Sequence, residues 1–219
     1  VPEGWEWDDT LFKGTAAYYL RGRPPYAPEL AARIATACSL DGTGRLLDVG
    51  CGPGIVTLPL APRFAEAIGL DPDAAMLAEA ATRAQKLGVA NVRWIRARAE
   101  ELPLGLGTFR AATFAQSFHW MDRPRVAAIV HAMLDPGGAL LHINAADHPG
   151  PDAPRLPAPA PPHAAIQGLV RQYLGPVRRA GQGVLRHGTP GGEAVIFRQA
   201  GFALSDRLVM TDPEPLVRD

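Results

Sequence analysis

Apolar residues along this chain recur at two spacings that take turns. Leu30, Ile34 and Ala37 fall on one side of a helix predicted over residues 28–40. Residues 45–49 read as a short buried strand that runs straight into a glycine-rich turn. A helix over 57–65 follows, although it must accommodate Pro59 and Pro62. A second strand covers 67–70 and ends at Asp71. Ala75, Met76, Ala80 and Ala84 then share the buried face of a helix over 72–87, closed by Gly88. Strands are expected at 92–97 and 111–115, a helix at 123–134 stopped by Asp135-Pro136-Gly137-Gly138, and a fifth strand at 139–144. Strand alternating with helix is the pattern of a mostly parallel, doubly wound α/β sheet covered on both faces.

The pattern then breaks. Residues 147–162 are crowded with proline and exclude regular structure. Ile166, Leu169, Val170 and Tyr173 restore helical spacing over 164–179. We read 147–190 as a helical, proline-rich cap inserted after the fifth strand, over the sheet edge where ligands bind. A helix over 193–199 ends at Gly201, and 202–210 is expected to be a sixth strand. An open sheet of this kind needs another strand beside the sixth, so the chain is expected to be cut short. The expectation is one domain over 1–219: a helical lid (1–44), a ligand-binding core (45–146), the cap (147–190) and a C-terminal helix and strand (191–219). No internal repeat is apparent.

Composition narrows the function. Lys plus Arg and Asp plus Glu number 22 each among 219 residues, so net charge offers no global attraction to nucleic acid or to an anionic membrane. The arginines at 93, 96 and 98 alternate with apolar residues and read as a solvated strand face. Cys38 and Cys51 are too few for a disulfide framework and read as free thiols of a reducing compartment, hence a cytoplasmic expectation. Residues 1–9 carry acids and tryptophans in place of a basic n-region, so no signal peptide is expected. No apolar run approaches a membrane span. His142, His148, His163 and His187 lack metal-ligand spacing, so no metal is expected.

The chemistry concentrates in Leu46-Leu47-Asp48-Val49-Gly50-Cys51-Gly52-Pro53-Gly54. Glycine in a strand-to-helix turn permits positive φ and lets backbone approach a ligand without a Cβ in the way. Ligands of open α/β sheets bind outside the carboxyl ends of the strands. Asp48, one step inside the strand end, either holds the turn or reaches a ligand ammonium through water. Asp71, at the end of the second strand, can accept hydrogen bonds from both hydroxyls of a ribose. A nicotinamide site would want G-x-G-x-x-G, whereas Ile55 follows Gly54 and no third spaced glycine comes after it.

These two features resemble motif I and the acidic position of the class I S-adenosylmethionine (SAM)-dependent methyltransferases, in their small-molecule "methyltransferase type 11" flavour. Further stretches agree with that family: Arg98-Ala99-Glu100-Glu101-Leu102-Pro103, Phe114-Ala115-Gln116-Ser117-Phe118-His119-Trp120, Leu134-Asp135-Pro136-Gly137-Gly138, and Arg23-Pro24-Pro25-Tyr26 preceded by Tyr18-Tyr19. The resemblance implies the Rossmann-like class I methyltransferase fold, SAM as cofactor and a small-molecule acceptor. It implies cofactor contacts from Tyr19, Arg23, Asp48, Gly50, Cys51, Gly52 and Gly54, and from Asp71, Pro72, Met76, Ala99, Glu100 and Gln116. His119 is the candidate general base or acceptor-orienting group, with a packed core histidine as the plain alternative. Trp120 and Tyr18 would contact the acceptor. Cys51 reads as a packing residue, although backbone N–H groups around it could lower its pKa. Neutral charge, and the lack of an Asn/Asp-Pro-Pro-Tyr/Phe-type segment after the fourth strand, speak against nucleic acid as substrate. A relative that binds SAM yet guides a cyclisation without methylating, a nicotinamide-dependent oxidoreductase and a non-catalytic binding module are the competing classes.

Overall fold

The computed structural model describes residues 14–23, 25–144, 162–175, 178–180, 183–185, 192–205 and 210. Helices α1 (Ala16–Gly22) and α2 (Leu30–Ala37) precede β1 (Arg45–Val49), α3 (Thr57–Leu60), β2 (Glu66–Asp71), α4 (Ala74–Leu87) and β3 (Val92–Arg96). Then come β4 (Phe109–Ala115), α5 (Arg123–Ala132), β5 (Leu134–Ile143), α6 (His163–Leu174), β6 (Arg178–Ala180), β7 (Gly183–Leu185) and α7 (Glu193–Gln199). Strands β3-β2-β1-β4-β5 form one sheet in that order, and every pairing in it is parallel. The chain builds outward from β1 to β3, then returns to β4 on the other side. The strand order therefore reverses between β1 and β4, the place where open α/β sheets bind ligands.

Successive strand residues face opposite sides, and both sides are covered here. Leu47, Val49, Ile68, Leu70 and Phe114 join a core on one face with Val126 and Val130 of α5. Leu46, Ala67 and Ala111 join Ile34 of α2 and Leu60 on the other. Phe118 stacks on Phe197 with ring centroids 4.7 Å apart, which docks α7 beside the end of β4.

Several elements depart from the sequence expectation. The helix expected over 57–65 is one α-turn followed by a 3-10 turn, Ala61–Arg63, because Pro62 has no N–H with which to continue the α ladder. Helix α4 starts at Ala74 because the Asp73 carboxylate accepts the backbone N–H groups of Ala75 (2.7 Å) and Met76 (3.1 Å), an N-cap that leaves Pro72 outside. Gly88 closes α4 as expected, at φ +67°. Asp135-Pro136-Gly137-Gly138 does not stop a helix. Helix α5 has already ended at Ala132, and these residues lie inside β5, in an irregularity between the pairs Phe109–Leu134 and Ala111–Ala139. Glycine is needed there, since a Cβ on Gly138 would lie 2.9 Å from the Asp135 carbonyl oxygen. The helix expected over 164–179 ends at Leu174, and β6 pairs antiparallel with β7 in a separate small sheet. The sixth strand expected over 202–210 is not seen at 202–205, which carry no regular structure. Residues 206–209 and 211–219, most of the proline-rich stretch, His148, His187 and the first thirteen residues lie outside the described residues.

One packing feature is sharp enough to test. Trp94 of β3 pairs in register with Gly69 of β2. Its indole lies where a Cβ on Gly69 would come within 2.4 Å, and it also bears on Gly54, where a Cβ would come within 2.9 Å. The ring lies against both glycines, so a Cβ on Gly69 forces it to shift. Gly69→Ala is expected to destabilise the fold by about 1–3 kcal/mol, read by urea denaturation. Combining it with Trp94→Leu is expected to cost less than the two single losses added together.

Candidate active site

The site begins beneath its own floor. The side chain of Asp48 is fully buried and accepts hydrogen bonds from the hydroxyls of Thr57 (2.6 Å) and Thr113 (2.7 Å). Burial pushes its carboxyl pKa up, while the two hydroxyl bonds pull the other way. Asp48 thereby ties β1 to α3 and β4, and it does not line the cavity above.

Beyond Val49 the chain turns sharply. The N–H groups of Gly50 (2.7 Å) and Cys51 (3.0 Å) both donate to the Leu70 carbonyl, pinning the turn to β2. Gly52 donates its N–H to Oδ2 of Asp71 at 2.8 Å, and Asp73 donates its own to Oδ1 at 2.9 Å. Gly50, Gly52 and Gly54 all have φ between +52° and +72°. Their surroundings differ. A Cβ on Gly50 would come within 2.5 Å of Ser117, and one on Gly54 within 2.9 Å of Trp94, whereas Gly52 has nothing within 4 Å of that position. Of the three, only Gly52 presents bare backbone to open space.

That space is a cavity of about 650 Å³, counting its open mouth, at the carboxyl ends of β1, β2 and β4. Gly50, Gly52 and Asp71 form one wall, Pro72 and Met76 continue it, and Ala99, Glu100 and Arg98 stand on another. Tyr19 of α1 closes one side, and Gln116, Trp120 and Met121 close the side beyond β4. Asp71 is 9% exposed. Burial, helped by the nearby charges of Asp73 and Asp48, raises its pKa from 3.8 to about 6 against the two N–H bonds. A carboxylate has about four acceptor sites; the two N–H groups take one on each oxygen and leave room for two hydroxyl donors from a ligand.

Beyond β4 the backbone bends at Gln116, whose φ of +53° is rare for a residue with a side chain. Its N–H donates to the Ile143 carbonyl (3.0 Å), and the Ser117 hydroxyl donates to the Val49 carbonyl (2.6 Å). The bend turns the chain into a short 3-10 turn, Phe118–Trp120, that carries Trp120 to the cavity.

The structure thus brings ten of the sequence-derived site residues to one cavity: Tyr19, Gly50, Gly52, Asp71, Pro72 and Met76, with Ala99, Glu100, Gln116 and Trp120. It does not place the others on the wall. Arg23 lies over the Tyr19 ring, 5.3 Å from its centroid. Tyr18 is 67% exposed and does not line the cavity. Gly54 packs on Trp94. The His119 ring sits 4.8 Å from that of Trp120 without reaching the cavity wall. Cys51 is buried, and the expectation of a lowered pKa is overturned: burial and the charges of Asp48 and Asp71 push the thiol well up. His142 packs edge-on to Phe118 and Phe197, and burial lowers its pKa. Sequence reading missed Leu70, Arg98, Ala115, Ser117 and Met121 on the wall. Arg98, Ala115 and Ser117 lie within the family-like motifs, and Leu70 and Met121 directly beside motif residues, but only the bend at Gln116 reveals that Ser117 and Met121 turn back against Gly50. Among the described residues, no group of His, Cys, Asp and Glu could hold a metal ion, and no helix is long and apolar enough to cross a membrane.

Comparison with known proteins agrees with this geometry. A family model described as a methyltransferase domain matches residues 46–138. An uncharacterized methyltransferase of Mycobacterium tuberculosis is 34% identical over 129 residues, 59% of this chain and 49% of its own length. A probable S-adenosylmethionine-dependent methyltransferase of Saccharomyces cerevisiae is 33% identical over 127 residues, covering 56% of this chain and 43% of the yeast protein. The chain spans about half the length of the curated relatives it matches. The fold is shared with a crystal structure of an S-adenosylmethionine-dependent methyltransferase from Clostridium acetobutylicum, at a TM-score of 0.50 and 22% identity, over 59% of this chain and 56% of that one.

Proposed function

We propose that this chain is a class I S-adenosylmethionine-dependent methyltransferase that transfers the methyl group of SAM to a small-molecule acceptor. The observation that carries the reading is the juxtaposition of the bare Gly52 backbone with a carboxylate that has acceptor capacity to spare, both at the strand-order reversal. The cavity suits an adenosyl amino acid: backbone alone on one side, Asp71 for a ribose diol, and apolar Pro72, Met76 and Ala99 for a flat base.

When bound, the cofactor supplies an activated methyl group on a sulfonium whose leaving group is a neutral thioether. The chain's own task is mostly positional. Asp71 anchors the ribose hydroxyls, and the turn at Gly50–Gly52 fixes the depth of binding. Tyr19 and Trp120 shield the cavity from water. Alignment of this kind is worth about 7–11 kcal/mol. His119, on the same 3-10 turn as Trp120 but off the cavity wall, is the base or orienting group we assign to acceptors that lose a proton, on condition that its ring turns toward the bound acceptor. A carboxylate acceptor needs none.

Calorimetry with S-adenosylhomocysteine and with NAD tests the cofactor, and mass spectrometry of small molecules incubated with SAM tests the transfer. The expected results are binding of S-adenosylhomocysteine but not NAD, and products heavier by one methylene. Binding of NAD instead, or products of unchanged mass, would refute the proposal.

A further inference from the structure

Glu100 stands on the cavity wall, yet its carboxylate is already engaged elsewhere. Oε1 accepts the backbone N–H of Asp122 at 2.8 Å, and Oε2 lies 3.7 Å from Nε of Arg98. Asp122 is the residue at which the loop beyond β4 ends and α5 begins. The loop is fastened at its start by the bonds of Gln116 and Ser117. Between those bonds and Asp122 lie Phe118, which is packed in the core against Phe114 and Phe197, then His119, Trp120 and Met121. Glu100 is thus the far anchor of the segment that brings Trp120 and Met121 to the cavity, and it reaches that segment from the turn after β3.

We propose that Glu100 is a positioning residue, serving the cofactor site through the Asp122 N–H and not through contact with the ligand. The inference rests on the reading of the cavity as a SAM site and assigns one wall residue a different job from its neighbours. Loss of the carboxylate releases the end of the loop. The fold itself stays tied, because Arg125 of α5 also donates to the backbone carbonyl of Glu100 at 3.0 Å, a bond that no change of the Glu100 side chain removes.

The backbone makes a clean test available. Asp122 has φ −67°, and Met121 before it is extended at φ −116° and ψ 163°. Proline at 122 therefore fits the backbone conformation and deletes the N–H and the side-chain cap; its Cδ takes the place of the lost hydrogen, so the Glu100 carboxylate must also swing aside. Asp122→Ala deletes the cap alone, since Asp122 Oδ1 accepts from the Arg125 N–H, and serves as the baseline. The probe is S-adenosylhomocysteine, titrated calorimetrically into variants whose folding is checked by circular dichroism.

Glu100→Ala is expected to weaken binding about tenfold, and Asp122→Pro about tenfold relative to Asp122→Ala, the shared charge-assisted hydrogen bond outweighing the solvent-exposed Arg98 contact that only Glu100→Ala also removes. The double variant Glu100→Ala with Asp122→Pro is expected to be no weaker than the worse single, because both remove the same bond. Glu100→Gln keeps an acceptor and is expected to recover most of the affinity. A role confined to stability would lower the melting temperature without this pattern in the dissociation constants. Losses that add, or an Asp122→Pro variant that binds like Asp122→Ala while Glu100→Ala does not, would overturn the proposal and give Glu100 a direct contact. Failure of the unaltered protein to bind S-adenosylhomocysteine would overturn both the proposal and the methyltransferase reading; binding with additive losses overturns the proposal alone.

Discussion

Asp71→Asn is expected to weaken S-adenosylhomocysteine binding by about a hundredfold or more while the protein stays folded. The replacement has nearly the same shape, so the effect is one of hydrogen-bond polarity. Both oxygens of Asp71 face a donor, the N–H of Gly52 at one and of Asp73 at the other. An asparagine amide must turn its NH2 group toward one of them, setting donor against donor. It also lacks the charge that strengthens bonds to ligand hydroxyls. Hydrogen bonds to a charged group contribute roughly 1.5–3 kcal/mol each, so two of them make about 3–6 kcal/mol, or two to four powers of ten in affinity. Calorimetry reads the loss directly, and an Asn variant that binds within about tenfold of the unaltered protein would remove Asp71 from the ribose position.

The same carboxyl sets a pH dependence whose sign is opposite to that of a salt-bridged aspartate. Its pKa is raised by burial, from 3.8 to about 6. The folded state therefore holds this proton more tightly than the unfolded chain does. The stability it contributes is present at acid pH and is lost as pH rises through about 6, at a cost of about 3 kcal/mol once the carboxylate is fully ionised. A ligand that needs the carboxylate runs the other way. Its affinity is expected to be level above pH 7 and to fall roughly tenfold per pH unit below about 6, with proton release on binding near pH 6. Isothermal titrations in buffers of different ionisation enthalpy would show that release, and its absence would place the titrating group elsewhere.

The sheet and the first turn were legible in the sequence because local rules governed them. An apolar strand, a run of glycines, an acid at the end of the next strand and a helix capped by Gly88 each carry their own signal within a few residues. What each glycine is for was not legible. Gly50 answers to Ser117 and Gly54 to Trp94, residues tens of positions away that only the sheet brings near. Asp48 shows the same limit: its position marked it as a ligand contact or a turn support, and only Thr57 and Thr113, from two other elements, place it beneath the floor. Asp135-Pro136-Gly137-Gly138 misled because the residues that break a helix also build an irregular strand, and the choice between them depends on the Phe109 and Ala111 pairings of β4.

The glycine turn supplies the other large effect, and it separates stability from binding at two positions that look alike in sequence. Gly50→Ala is expected to destabilise the fold by about 2–5 kcal/mol. Roughly 1–2 kcal/mol of that comes from forcing an alanine to φ +70°, and a further 1–3 kcal/mol from overpacking. The new methyl would sit 2.5 Å from the Ser117 Cβ, and Ser117 cannot retreat while its buried hydroxyl is bonded to the Val49 carbonyl at 2.6 Å. Pushing Ser117 away also moves the loop that carries Trp120, so affinity falls with stability. Gly52→Ala meets nothing within 4 Å and is expected to cost only the strain of its φ of +52°, about 1–2 kcal/mol. Its methyl would project into the cavity where the ligand should lie, and the dissociation constant for S-adenosylhomocysteine is expected to rise about tenfold or more. Chemical denaturation paired with calorimetry on the two variants gives four numbers. If Gly52→Ala binds as tightly as the unaltered protein, the bare backbone at Gly52 does not face the ligand, and the cofactor must lie elsewhere in the cleft.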